Sequence, residues 1–331
     1  MYYFCTYFDH NYLCQGLALH QSLQQHCKDF QLYVLCLSKE CYEILSTLSP
    51  SQMILLKLED FEAGDGELLK AKSNRSLVEY YFTCTPSLPL YILKNNPRID
   101  MITYVDADLY FYNDPKPVFQ EMVGQSIGII AHRYPDHYKA MEVCGVYNVG
   151  WLSFSNDDNS ISCLKWWRDR CIEWCYKRVE GDKFADQKYL DDWAKLFKKV
   201  RVIQHKGANL ATWNIENYKV KFIDDRLWID NEELIFFHFH GLRRLTNLFY
   251  CVGYHQTKIN RVIRKKIFKP YFETLREINS KLIKSHLEAF VNELFLSPHM
   301  IDSGNIQKIK TYLSVLYRIL LSGNYIAIPP K

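Results

Sequence analysis

The chain has 331 residues, 48% of them hydrophobic, which is enough for one large core with an appendage or two modest domains and excludes a disordered polypeptide. Its 41 Lys and Arg against 37 Asp and Glu leave a net charge of +4, too small and too dispersed for nucleic acid to be the partner. Eleven cysteines, an odd number at irregular spacing and without a Cys-x-x-Cys pair, read as reduced thiols rather than a disulfide frame.

The first residues, MYYFCTYFDH, lack the pattern of a secretory signal, and no apolar run reaches the ~18 residues that span a bilayer, so a cytoplasmic location is expected. Residues 2–8 read as a buried strand, and Leu13, Leu17, Leu19 and Leu23 recur near helical spacing after it. A second strand, QLYVLCLS, completes a strand, helix, strand order that points to an α/β sheet of nucleotide-binding type. A helix is expected at 40–48, a strand at 53–58, a polar loop at 59–74, and two helices at 75–83 and 86–95. Strands follow at 100–105, 126–132 and 147–154, then a Trp-rich helix at about 161–178. Cys171 and Cys175 sit one turn apart on that helix and read as core residues, because no nearby ligand completes a metal site. After VRVIQH (200–205) the pattern is irregular until a short strand at LIFFHFHG, and from about 255 charged helical patterns dominate. The division expected is a catalytic domain at 1–250 and a mainly helical extension at 251–331.

The segment TYVDADLYF places Asp106 and Asp108 in an otherwise apolar run. Strand alternation would turn both to one face with Ala107 opposite, and two acids on one face repel unless a cation lies between or beyond them. Carboxylate oxygens favour hard ions such as Mg²⁺ or Mn²⁺, which bind diphosphates; the competing reading is a pair of solvated turn acids.

TYVDADLYFYNDP resembles the Asp-x-Asp segment of glycosyltransferases with the GT-A fold, and is most similar to the retaining group containing glycogenin and the lipopolysaccharide galactosyltransferases. The resemblance continues in order along residues 2–245. CTYFDHNYLCQGLALHQSL is similar to that family's first strand, nucleotide-binding loop and helix, which implies donor contacts at Tyr7, Asp9, Asn11 and Tyr12. YNVGWLSF resembles its Asn-x-Gly strand and puts Asn148 near the donor sugar. FADQKYLDDW resembles its Asp-Gln-x-x-Leu motif, implying catalytic roles for Asp186 and Gln187. HFHGLRRL resembles its His-x-x-Gly motif, implying His238 as third metal ligand beside Asp106 and Asp108, with Ala107, Gly241 and Arg244 among the donor contacts. Arg244 stands where that family has a phosphate-binding lysine, and its Lys-Pro-Trp is absent here. Arg75 resembles a basic donor contact, against a plain reading as an exposed helix arginine, and GANLATWNI (207–215) resembles the loop on the acceptor side.

The resemblance implies an α/β GT-A, Rossmann-like fold with a mixed central sheet and a C-terminal helical appendage. It also implies a metal-dependent hexosyltransferase using Mn²⁺ or Mg²⁺ and a UDP-sugar, acting with retention on a glycan or lipid-linked acceptor in bacterial surface polysaccharide synthesis. Alternatives are a sugar nucleotidyltransferase, which would want a Gly-rich basic loop after the first strand, and a catalytically silent binding protein of the same fold. Residues 258–271 mix basic side chains with Ile, Val, Phe and Tyr, which predicts either peripheral contact with the inner face of an anionic membrane or a helix packed on the catalytic domain with its lysines in water.

Overall fold

The N-terminal half alternates strand and helix. β1 (Tyr2–Phe8) leads to α1 (Leu13–His26), β2 (Phe30–Cys36) to α2 (Lys39–Leu48), and β3 (Met53–Lys57) to α3 (Leu58–Glu62), α4 (Gly66–Lys72) and α5 (Leu77–Asn95). There follow β4 (Met101–Val105), β5 (Leu109–Phe111), α6 (Lys116–Gln120), β6 (Ile127–Ala131), β7 (Tyr147–Ser155), α7 (Asp158–Glu173), α8 (Trp193–Leu196), β8 (Val200–Ile203) and β9 (Leu210–Ala211). A meander of β10 (Val220–Ile223), β11 (Arg226–Ile229) and β12 (Glu232–Glu233) precedes β13 (Phe236–His238). Then β14 (Arg243–Arg244) pairs antiparallel with β15 (Phe249–Cys251), which pairs with β16 (Tyr325–Ala327). Between them α9 (Arg261–Ile263) runs through a π-helical segment, Arg264–Phe268, into α10 (Lys269–Lys284). The computed structural model describes residues 1–244, 249–251, 259–284 and 325–327.

The central sheet has seven strands in the order β3-β2-β1-β4-β7-β6-β8, all parallel except β7, which runs against both its neighbours. Both faces are covered, which is why β2 and β4 read as continuous apolar runs rather than alternating ones. One face packs against α5 and α7. The other packs against α1, the small sheet β5-β13-β9, and α10. Between β1 and β4 the strand order reverses, and in open α/β sheets the crevice beyond the strand ends at such a point is where ligands bind.

The small sheet is joined to the large one through a run of aromatic rings. Trp151 of β7, fully buried, stacks on Phe236 of β13 at 5.1 Å and meets Phe4 of β1 edge-on at 5.9 Å. Phe236 in turn pairs in register with Phe111, and His238 with Leu109.

Three expectations need correction. Residues 59–74 are largely helical: Asp65 caps α4 by accepting from Leu68 N–H, and Arg168 of α7 holds the Asp65 carboxylate at 2.7 Å. The two helices expected around Pro86 are one, α5, with Pro86 and Pro89 inside it. Burial of this stretch on both sides of the prolines outweighs the lost helix hydrogen bonds. Asp106–Asp108 form a turn between β4 and β5 rather than a strand, with Leu109 N–H donating to the Asp106 carbonyl at 3.2 Å.

In the basic stretch, Ile259, Ile263, Ile267, Phe268 and Tyr271 are buried in the core shared with α1 and the small sheet, while Lys265 and Lys269 are exposed. This is the packed-helix arrangement. No described helix is long and apolar enough to cross a membrane. Cys5, Cys14, Cys27, Cys36, Cys41, Cys84, Cys144, Cys163, Cys171 and Cys175 are free, and Cys171 and Cys175 are fully buried as core residues.

Removing the indole that links the two sheets tests this architecture. Trp151→Ala should cost about 3–5 kcal/mol, read as a lower urea midpoint at unchanged slope.

Candidate active site

The turn after β4 is held from two sides. Asp106 N–H donates to the Gly150 carbonyl at 3.2 Å, and the Asp108 carbonyl accepts from Phe239 N–H at 3.0 Å. The second bond continues the β5–β13 ladder and brings the end of β13 beside the aspartates. As a result His238 Nε2 lies 3.1 Å from Asp108 Oδ1 and 3.5 Å from Asp106 Oδ2.

His238 is 1% exposed, and its buried Nε2 meets the two carboxylates as ion-pair contacts without a well-aligned hydrogen bond to either. Its other nitrogen, Nδ1, faces Asn148 Oδ1 at 3.2 Å and Asn209 Oδ1 at 3.4 Å. Two carbonyl oxygens there require a proton on Nδ1, so the neutral ring presents the Nε2 lone pair to two carboxylates. That contact is repulsive unless a proton or a metal ion intervenes. Burial opposes the imidazolium, but Asp108 and Asp106 outweigh it and raise the His238 pKa. For Asp106 burial dominates, and with the like charge of Asp108 it lifts the carboxyl to about 6 despite His238 and the Tyr104 hydroxyl, which donates at 2.9 Å. Burial also opposes ionisation of Asp108, yet His238 holds its pKa low.

Two carboxylates and an imidazole nitrogen converging on one point suit a divalent ion with oxygen and nitrogen ligands, such as Mn²⁺ or Mg²⁺. His240, 5.8 Å from the His238 ring, also brings a ligand nitrogen within 4.8 Å of Asp108. Asp108, His238 and His240 form the group suited to a metal among the described residues.

His238 and His240 open on a cavity of about 290 Å³ whose lining also includes Tyr7, Asp106, Asn148, Asp186 and Gln187. The structure therefore assembles in one place residues from five separated segments. Asp186 is buried, and burial with the nearby Asp106 raises its pKa to about 7, although the Thr85 hydroxyl bonds the carboxylate. Thr85 also meets Tyr7 Oη at 3.0 Å. Gln187 donates from Nε2 to the Cys144 carbonyl at 3.0 Å, and its Oε1 faces Asn148 Nδ2 at 3.4 Å.

Asp9, Asn11 and Tyr12 lie in the turn after β1, at the same edge of the sheet. Asp9 accepts from Asn11 N–H at 3.0 Å and from Asn11 Nδ2 at 3.1 Å, and Tyr12 leaves 48% of its surface exposed. Ala107 is nearly buried between the aspartates, and Gly241 takes the left-handed conformation, φ +72°, in the turn after His240. Arg75 is engaged away from the cavity lining: it donates to the Thr83 hydroxyl at 3.0 Å and to the Ile172 carbonyl at 2.5 Å. Arg244 has its backbone in β14, and its side chain lies outside the described residues.

His132 and Lys177 were not singled out from sequence, and Asn209 and Trp213 were met only as members of the 207–215 segment. His132 and Trp213 line the cavity, and Lys177 is the one Lys or Arg among its described lining residues. A histidine closing the apolar run SIGIIAH was the signal available for His132. Gly150 has a steric reason to be glycine: a Cβ there would lie 2.6 Å from Asn148 Oδ1 and 2.7 Å from His238 Cε1.

No family model matches the chain. It is 32% identical over 278 residues to YfnD, an uncharacterized protein of Bacillus subtilis (strain 168), covering 83% of this chain and 89% of YfnD. The chain belongs to the family of YfnD. YfnF of the same organism, also uncharacterized, is 34% identical over 248 residues, covering 72% of this chain and 81% of YfnF. Among solved structures, the chain matches the galactosyltransferase LgtC in complex with donor and acceptor sugar analogues, with a TM-score of 0.54, 13% identity, and coverage of 83% of this chain and 95% of that one. An active-site glutamine-to-glutamate variant of LgtC matches with a TM-score of 0.50, 13% identity and the same coverage. This member of the YfnD family thus has the GT-A fold, as its mixed seven-stranded sheet and flanking helices indicate.

The buried acids carry a measurable consequence. Asp186 has its proton bound more tightly in the folded state, about 7 against the ordinary 3.8, so stability falls as pH rises through that window. In urea titrations with a chelator present, Asp186→Asn should flatten this fall and stabilise the protein at pH 8 by up to about 4 kcal/mol.

Proposed function

We propose that the protein is a metal-dependent glycosyltransferase that moves a hexose from a nucleotide diphosphate sugar, a UDP-sugar, to a glycan or lipid-linked acceptor with retention. The single observation that carries this reading is the buried His238 Nε2, in ion-pair range of the carboxylates of Asp106 and Asp108 at the switch point of the sheet without a well-aligned hydrogen bond to either. The GT-A fold and its likeness to LgtC support it, and the spacing of the five motifs along the chain supports it independently.

In this reading Asp106, Asp108 and His238 hold a divalent ion, Mn²⁺ or Mg²⁺. When bound, that ion supplies a Lewis acid for the diphosphate and takes up charge on the leaving oxygen. The chain's own groups do the rest. Tyr12 offers an exposed ring on which a uracil can stack, and Asp9 and Asn11 are preset by their mutual hydrogen bonds to meet base and ribose. Asp186 binds sugar hydroxyls, and Asn148, whose amide is taken up by Gly150, His238, His132 and Gln187, stands beside the sugar site. Gln187, anchored through its amide nitrogen on Cys144, keeps its carbonyl oxygen for the face of the anomeric carbon, where positive charge develops as the bond to phosphate breaks. Trp213 and the 207–215 loop stand on the acceptor side. An enzyme of this kind would serve surface polysaccharide synthesis in the cytoplasm, where nucleotide sugars are made.

A thermal-shift panel of nucleotide sugars with and without Mn²⁺ tests the reading. A ligand at a hundredfold excess over its Kd adds about 2.7 kcal/mol, so a UDP-hexose with Mn²⁺ should raise the Tm of the wild type by several degrees, and Asp108→Ala should abolish the rise. Indifference of the wild type to every nucleotide sugar contradicts it.

A further inference from the structure

His238 is the middle of a longer chain of hydrogen bonds that runs away from the aspartates. Its Nδ1 faces Asn148 Oδ1 at 3.2 Å. That oxygen is identified by its second contact, because it accepts the Gly150 backbone N–H at 3.1 Å, which only a carbonyl can do. The amide nitrogen of Asn148 therefore points the other way, to His132 Nε2 at 3.2 Å and Gln187 Oε1 at 3.4 Å. His132 closes the chain: its Nδ1 lies 3.2 Å from the Val146 carbonyl, so that nitrogen carries the proton and Nε2 is left to accept from Asn148. His132 is itself fixed, stacked on Tyr134 at 4.7 Å, with its carbonyl accepting from Trp213 Nε1 at 2.9 Å and Asn214 Nδ2 at 2.8 Å.

Every donor and acceptor in this sequence has one orientation open to it. The Val146 carbonyl sets the tautomer of His132, His132 sets the amide of Asn148, and Asn148 puts the proton of His238 on Nδ1. Asn209 Oδ1, at 3.4 Å, reinforces the last step.

We propose that His132 and Asn148 are positioning residues for the metal: together they lock His238 in the tautomer whose Nε2 lone pair faces Asp106 and Asp108. This rests on the metal-dependent reading above and extends it to residues that touch no ion. The same Asn148 amide reaches Gln187, so the relay ties the orientation of the metal ligand to the residue that faces the sugar. It also gives the Asn-x-Gly segment a role of its own, since Gly150 supplies both the N–H that orients Asn148 and the space in which the His238 ring meets it.

The test is direct Mn²⁺ binding, followed by the loss of the free-ion electron paramagnetic resonance signal on titration with protein, alone and with UDP, so that no turnover is needed. Loss of an outer partner of a metal-bound histidine weakens affinity by about 10- to 100-fold. Asn148→Leu should fall in that range, His132→Leu should weaken binding to a smaller extent, and His132→Gln, whose amide can still accept from Asn148, should recover most of the wild-type affinity. Circular dichroism and thermal melts without metal report the fold of each variant, and if Asn148→Leu fails to fold, the two His132 variants decide alone. Wild-type affinity in a folded Asn148→Leu or His132→Leu overturns the relay, as does equal loss in His132→Gln and His132→Leu. If wild-type protein takes up no Mn²⁺ and Asp108→Ala changes nothing, the metal reading itself has failed and the relay with it, a result distinguishable from the others.

Discussion

A histidine nitrogen held in the dry interior against two carboxylates organises the rest of this molecule. Left neutral, the arrangement is unfavourable, because the lone pair of a buried ring nitrogen faces two negative groups within 3.5 Å. The fold keeps them together by backbone pairing. The β5–β13 ladder fixes His238 opposite Leu109, and the hydrogen bond from Phe239 to Asp108 extends that register into the turn. The aromatic stack from Phe4 through Trp151 to Phe236 then fastens the small sheet to the central one. Core packing far larger than the local repulsion holds the site in its uncomfortable geometry, which is how functional sites come to be less stable than their surroundings.

Asp186 extends the same tension. It is buried within reach of Asp106, and its affinity for a proton is raised to the middle of the physiological range. Two buried acids on one cavity, Asp106 and Asp186, both with raised proton affinity, are hard to explain as scaffolding, since burial penalises the charge of each. They are easily explained if cationic or hydroxyl-bearing ligands belong there, and the GT-A fold puts such a cavity at the usual ligand position of an open α/β sheet.

Much of this was legible in the sequence because it depends on short-range patterns. The alternation of apolar strands and amphipathic helices specified the sheet, and the order of five motifs specified which side chains meet. The turn at Asp106–Asp108 was less visible, because an apolar run around two acids reads as strand until the backbone bonds are seen. The continuity of α5 through Pro86 and Pro89 was hidden for a related reason: burial by other elements overrode local propensity. The parts played by His132 and by Asn209, the latter known only as a member of the 207–215 segment, were invisible in a stronger sense. Their roles arise from hydrogen bonds to Asn148 and His238 across long sequence separations, and no spacing rule encodes such contacts. The same holds for Arg75, whose guanidinium is taken up by Thr83 and the end of α7.

The position of a metal ion decides whether Asp106, Asp108 and His238 form a metal site. The most direct measurement is anomalous scattering at the manganese edge from crystals grown with Mn²⁺ and UDP. A single strong peak within coordination distance of His238 Nε2 and the Asp106 and Asp108 carboxylates, with the diphosphate against it, is the result predicted. A manganese peak elsewhere on the chain, or UDP bound with no ion between those three side chains, would contradict it.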